Sequence, residues 1–345
     1  MISGTVIFVT GGGNVDEKKV VETSEVLIVF KRNKEISSVV SRLLPGFQGS
    51  CVPKLDGFGV TSSGKILVGY GRNIYEYKIK EKVWTNQFIN VDCKVDVELG
   101  VGLETHVEGC EINDRQFIVC WESQVQLMQS KKIENNVNKE EKTNLLEQPG
   151  KHNKRQRSAT FFVPSKLQNL NSKVCLTQLP VSTNGDTITR IGNNSVMFVG
   201  SYWVFKGELT AAGNDVTWKK LEFPKTPRRC HTAFMLRNNL YIAGGFKQHG
   251  QEFEELSSCE RYDLKMNTWI ECPHVLPYPL ACATVSVSSD ETFAVVIGGY
   301  HRQNESPHRE SGRIIIFTES DGFQLLSTSE LSSPKSSNHV SIRVQ

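Results

Sequence analysis

The sequence lacks most of what would place it outside ordinary globular folds. No apolar run approaches the ~20 residues a membrane helix needs; the longest clean stretches are Val6–Val9 and Val26–Phe30. The first ten residues carry neither a basic segment nor a long apolar core, so no secretory signal is expected there. Forty basic residues against 37 acidic ones leave a net charge of +3, too small a field to gather nucleic acid or an anionic membrane. The cysteines, at 51, 93, 110, 120, 175, 230, 259, 272 and 282, are odd in number and contain no CxxC pair. Free thiols in a reducing compartment fit them better than a disulfide framework, which points to the cytoplasm. Helical 3.6-residue periodicity is sustained nowhere.

What the sequence does have is glycine, paired after aliphatic runs. Leu240-Tyr-Ile-Ala-Gly-Gly245 and Ala294-Val-Val-Ile-Gly-Gly299 are one phrase, and Ile7-Phe-Val-Thr-Gly-Gly12 is a third copy. Ile66–Gly69, Phe117–Cys120 and Met197–Gly200 keep the strand and lose part of the pair. The first pair residue falls at 11, 69, 120, 200, 244 and 298, giving intervals of 58, 51, 80, 44 and 54 residues. The long interval holds residues 130–158, polar and nearly free of apolar side chains, which read as a disordered insertion in the third unit. Around each pair lie short alternating strands and polar turns, often with a tryptophan in the last strand (Trp84, Trp218, Trp269). Four strands repeated six times predict an all-β, six-bladed β-propeller spanning 1–345 as a single domain.

The unit at 228–269 resembles the kelch repeat: Arg228-Arg-Cys-His231, Gly244-Gly245, Tyr262-Asp263, Asn267-Thr-Trp269. The 281–323 unit resembles it without the tryptophan, and the first four units follow it by period more than by motif. The first glycine pair lies too close to Met1 to leave room for an opening strand. Ser337–Val344, with His339 in the place of His231, supplies that strand in the expected scheme and closes the ring from the C-terminus.

Chemical motifs are weak. Gly59–Lys65 has the glycine and lysine spacing of a phosphate loop, but Ile66 stands where a hydroxyl must follow and a strand comes next, so a hairpin turn is expected. Thr10–Gly13 opens no helix and fits no dinucleotide site. His301, Glu305 and His308 match no standard zinc spacing, and no cofactor, metal or catalytic set is predicted. The recurring His106, His231 and His339 are read as blade-packing residues, and Trp84, Trp218 and Trp269 as core between blades. The basic run Lys151–Arg157 reads as a solvated linker, with nuclear import as its functional alternative.

Kelch-like propellers typically bind partners at the channel mouth, where the loops joining second to third strands, and fourth strands to the next blade, gather. Those loops are Gly12–Ser24, Lys247–Ser257, Tyr300–Gly312, Lys225–Cys230 and Pro273–Pro279. The resemblance places Arg228 and Arg229 where such receptors present arginines to acidic peptides. Phe253, Tyr278, Tyr300, His301 and Arg302 would add anchors, and Trp121, just past the degenerate pair of the third unit, is a further candidate for ligand contact. The expected function is a protein-binding module, a substrate receptor of ubiquitin ligases or a cytoskeletal adaptor, with no nucleic acid or membrane partner. No BTB or F-box segment is seen. The alternative implied by the resemblance is a sugar-processing kelch-type enzyme, mutarotase-like or oxidase-like, working at the same mouth.

Overall fold

The structure, a computed structural model, describes residues 2–14, 19–20, 23–32, 35–44, 57–62, 65–70, 73–85, 107–113, 116–123, 156–162, 175–178, 186–212, 215–249, 252–301, 309–310, 312–331 and 337–344. All regular structure in them is β, arranged as six antiparallel blade sheets and two two-stranded hairpins. Blade 1 orders Ser337–Val344, Ile2–Asn14, Ser24–Arg32 and Glu35–Leu44. Blade 2 is Gly57–Ser62, Lys65–Tyr70, Asn73–Lys78 and Val83–Thr85. Blade 3 is Val107–Asn113, Gln116–Ser123, Gln156–Phe162 and Cys175–Gln178. Blade 4 is Thr187–Gly192, Ser195–Val199, Val204–Leu209 and Val216–Leu221. Blade 5 is Thr232–Leu236, Asn239–Ala243, Cys259–Asp263 and Thr268–Glu271, and blade 6 is Thr284–Val287, Ala294–Ile297, Arg313–Thr318 and Gly322–Glu330.

The first strand of each blade touches the first strand of the next, around a complete circuit from blade 1 through blade 6 and back. These six strands therefore surround the axis. The C-terminal strand pairs antiparallel with the N-terminal one, Val6 against Val344 and Gly11 against His339, as the closure scheme requires. An edge that would otherwise lie open is thereby paired. The seam with blade 6 is apolar, with Ile7, Val9, Leu27 and Val29 packed against Phe293, Val295, Ile297, Ile314 and Ile316. At its rim Lys31 bonds Asp290 at 2.9 Å and Thr292 at 2.6 Å.

The recurring tryptophans lie in the inter-blade cores. Trp84 meets Phe8 of blade 1 at 5.8 Å, and Trp269 donates to the Glu222 carbonyl beyond blade 4 at 2.8 Å. The motif's spacing has a local cause as well. Tyr262 lies 5.1 Å from Trp269 and donates to the Asn267 side chain, while Asp263 accepts the amides of Lys265 and Met266 across the turn. Blade 2 keeps this geometry without the aspartate: Tyr77 lies 5.1 Å from Trp84 and Lys82, like Asn267, adopts a left-handed φ.

Three expectations need adjusting. Gln156, Arg157 and Ser158 are not part of the insertion; they begin the third strand of blade 3, with Arg157 opposite Glu122. The basic run therefore ends inside a sheet rather than in a linker, because its last residues complete a blade; the rest of 130–158 falls outside the described residues. Trp121 does not follow its strand but lies within it, paired with Val107 on one side and Ser158 on the other. The loops after the second strands of blades 1, 5 and 6 are partly extended as two-stranded hairpins: 13–14 with 19–20, Phe246–His249 with Glu252–Glu255, and Tyr300–His301 with Arg309–Glu310.

Candidate functional site: the loop end of blades 4 to 6

The glycine pairs explain how this end is built. Gly244 and Gly245 have φ of +67° and +89°, and a Cβ on Gly245 would lie 2.4 Å from the Arg229 carbonyl. Only glycine allows both the left-handed turn and the close approach. The chain entering blade 5 tucks against the pair, and Arg229 and Phe246 exchange backbone hydrogen bonds of 2.9 and 2.8 Å. Blade 6 repeats this with Ala281 and Tyr300, both at 3.0 Å. Gly245 also donates to Leu280, and Cys282 to Cys230, so the loops of the two blades are tied together.

Arg228 overturns its assignment. It is fully buried, and its guanidinium donates to Thr226 O, Gly244 O, Ser258 O, Ser258 Oγ and Glu260 Oε1. All five donors of the fork are thus engaged inside blade 5, leaving none for a partner. The Glu260 carboxylate in turn accepts the amides of Lys225 and Thr226 at 2.7 and 3.0 Å. Arg228 and Glu260 therefore shape the loop that presents Arg229, which is exposed. His231, beneath it, bonds Thr187 of blade 4 at 3.0 Å; burial, reinforced by the Arg228 charge, pushes its pKa down to about 3.

The other predicted residues divide into two contacts. Phe253 projects from the blade 5 hairpin, 56% exposed, and rests on Phe246 at 6.3 Å; Phe246 meets Tyr300 at 5.4 Å. Burial pushes the Tyr300 hydroxyl well above its ordinary pKa, so it stays protonated. Tyr278 packs on His301 at 4.6 Å, and the Arg313 guanidinium sits over the Tyr278 ring at 5.5 Å. Trp121, in blade 3, does not join these contacts, and Arg302, Glu305 and His308 lie outside the described residues.

Sequence reasoning missed two members of this end. Tyr202, in the loop after the second strand of blade 4, meets Phe223, in the loop leaving that blade, at 6.4 Å, and both are about half exposed. Their positions in the loops of the repeat were the available signal. Charge at the mouth is mixed: Arg229, Lys247 and Arg313 alternate with Glu252, Glu254 and Glu255, and His249 pairs with Glu254 at 3.0 Å. Among the described residues no three His, Cys, Asp or Glu side chains gather as a metal site would require.

The Kelch motif family matches residues 227–275, the unit that contains Arg228, the glycine pair and Trp269. With six such sheets in a closed ring, the assignment follows. The chain is an all-β propeller with a kelch motif. No curated protein matches it. A solved structure titled "Structure of YjhT" aligns over 93% of this chain and 97% of that one, with a TM-score of 0.54 at 13% identity, a likeness of fold alone. A kelch propeller fits either a protein-binding module or a kelch-type enzyme. No helix among the described residues is long and apolar enough to cross a membrane.

Proposed function

We propose that the loop end of blades 4 to 6 is a protein-docking face, and that this kelch propeller works as a binding module rather than a catalyst. The observation that carries the reading is Phe253, an exposed aromatic on a hairpin braced through Phe246 against Tyr300, with exposed Arg229 bridged to the same hairpin. Exposed aromatics on rigid supports suit hot spots, because little side-chain entropy is lost on docking. Tyr202 and Phe223 extend the apolar surface over blade 4, and Arg229 supplies a fork for a carboxylate of an acidic peptide. An adaptor role, as a substrate receptor or a cytoskeletal link, is the form of binding that best suits such a face. Cys259 and Cys272, which carry no disulfide in this structure, suit a cytoplasmic setting.

Capture from cell extract with the wild-type chain and an Arg229→Ala, Phe253→Ala variant tests this. Both side chains are exposed, so the fold is retained, and specific partners should drop about tenfold or more. Met266→Asp, 69% exposed in the turn at the opposite end of blade 5, should leave them in place. Equal capture by the double variant and wild type, together with turnover of a sugar by the wild type, would move the reading to a sugar-processing enzyme.

A further inference from the structure

Blade 5 holds two cysteines that the docking face does not use. Cys259 opens its third strand, and Cys272 immediately follows its fourth. The register of these strands runs from Asp263 opposite Thr268 to Glu260 opposite Glu271, so Cys259 and Cys272 are the next facing pair. The Cys272 amide donates to the Cys259 carbonyl at 3.0 Å, continuing the ladder. Facing residues in such a hydrogen-bonded pair have Cα atoms about 5.5 Å apart, within the span a disulfide bridges. Both side chains lie in the apolar core between blades 5 and 6, where the Cys259 thiol donates to the Glu260 carbonyl at 3.8 Å. The neighbouring Cys259, helped by the backbone of His274, brings Cys272 down to about 6, while the neighbouring Cys272 and burial push Cys259 up. Of the two, Cys272 has the more thiolate character and the greater exposure, 6% against 0%.

We propose that Cys259 and Cys272 are a redox-active pair that closes to a disulfide when the protein meets hydrogen peroxide. The Cys272 thiolate attacks one peroxide oxygen, the O–O bond breaks, and the departing hydroxide takes a proton to become water, leaving a sulfenic acid. The Cys259 sulfur then attacks the Cys272 sulfur; the S–O bond breaks, and the leaving hydroxide departs as water with the Cys259 proton. Two thiols lose two electrons and two protons, and one peroxide becomes two waters. Thiol exchange with a reductant such as dithiothreitol reverses it.

The position gives the bond a purpose. Cys259 ends the segment Leu256–Ser258 that descends from the Phe253 hairpin, and Cys272 starts the loop carrying Leu276 and Tyr278. Leu276 already donates to Ser257, and Leu280 to Leu256, so these two loops share their roots. A disulfide there clasps both loops where they leave the sheet. The chemistry needs no partner, so its outcome is independent of the docking reading.

The test uses the full chain, reduced and then freed of reductant. After treatment with hydrogen peroxide and unfolding, titratable thiols should fall from the nine of the sequence to seven and return to nine with dithiothreitol. Peptide mapping should find Cys259 joined to Cys272. The link should survive Cys282→Ser, and in Cys272→Ser it should vanish while thiol loss slows about tenfold or more. A link between Cys230 and Cys282, irreversible oxidation of Cys272 without a link, or a thiol count that stays at nine in the wild type would each overturn the proposal. The wild-type map decides even if Cys272→Ser fails to fold.

Discussion

Blades 5 and 6 share a backbone plan and solve its central problem with opposite chemistry. In blade 5 the buried position three residues before His231 is Arg228, locked to Glu260 at 2.9 Å with neither side chain more than 2% exposed. The corresponding positions in blade 6 are Leu280 and Ile315, both in the apolar core between the two blades. Blade 5 buries an ion pair and spends its hydrogen bonds on the loop beside it; blade 6 fills the same space with hydrocarbon. A satisfied buried ion pair adds little stability over well-packed apolar residues, but it fixes geometry through directed bonds. The difference shows that the arginine of the motif is scaffold, and that the fold tolerates its loss where the replacement pair is apolar at both positions. Glutamates recur at the Glu260 position in blades 1 and 2, as Glu25 opposite Val9 and Glu76 opposite Leu67, both buried.

The largest way to separate the two blades is to remove residues 338–345. Blade 6 packs on blade 1 through the apolar seam, and blade 1 would lose its first strand, so the chain should cease to melt cooperatively near its wild-type temperature. Under milder truncation, hydrogen exchange should rise in blade 6 before blade 5; an unchanged melting temperature would break the closure argument.

Next in size is the lock itself. Arg228→Met strands the Glu260 carboxylate in the interior and should cost about 3–5 kcal/mol in urea unfolding. Arg228→Leu with Glu260→Ile imports the blade 6 solution and should recover a large part of that loss. A double variant worse than the single would show that blade 5 needs the ion pair for stability and not only for loop geometry.

The smallest effect is in mild acid, between about pH 6.5 and 5. His231 of blade 5 has Ala283 as its blade 6 counterpart, so only blade 5 carries this titration. Its folded pKa, about 3, lies below the unfolded value near 6.5. The unfolded chain therefore binds a proton that the folded chain refuses, and stability falls as pH drops below about 6.5, by about 1.4 kcal/mol per pH unit until about pH 3. Between pH 6.5 and 5 the loss is about 2 kcal/mol. In His231→Ala this part of the slope should disappear, which urea midpoints at several pH values would measure.

Much of the ring was legible in the primary structure. Six aliphatic runs, five of them ending in glycine, counted six blades, and the short approach to Gly11 implied that Ser337–Val344 must return to it. Those signals are local or arithmetic: a left-handed turn needs glycine, and a period survives divergence of the motif. The site was legible only in part. Phe253, Tyr278, Tyr300 and His301 could be placed in these loops because loop position follows from the repeat. Arg228 and Arg229 are adjacent and chemically identical, and nothing local says which is turned inward.

The sequence by itself determined the blade count, the closure and the end of the ring where exposed loops meet, because each is a matter of spacing and backbone conformation. Tertiary structure alone decided that Arg228 bonds inward while Arg229 faces solvent, that Tyr202 and Phe223 meet from two loops of blade 4, and that Cys259 faces Cys272. Those outcomes depend on strand register and on which side of a strand faces a neighbouring blade. A one-residue change of register reverses them without altering the composition or the period.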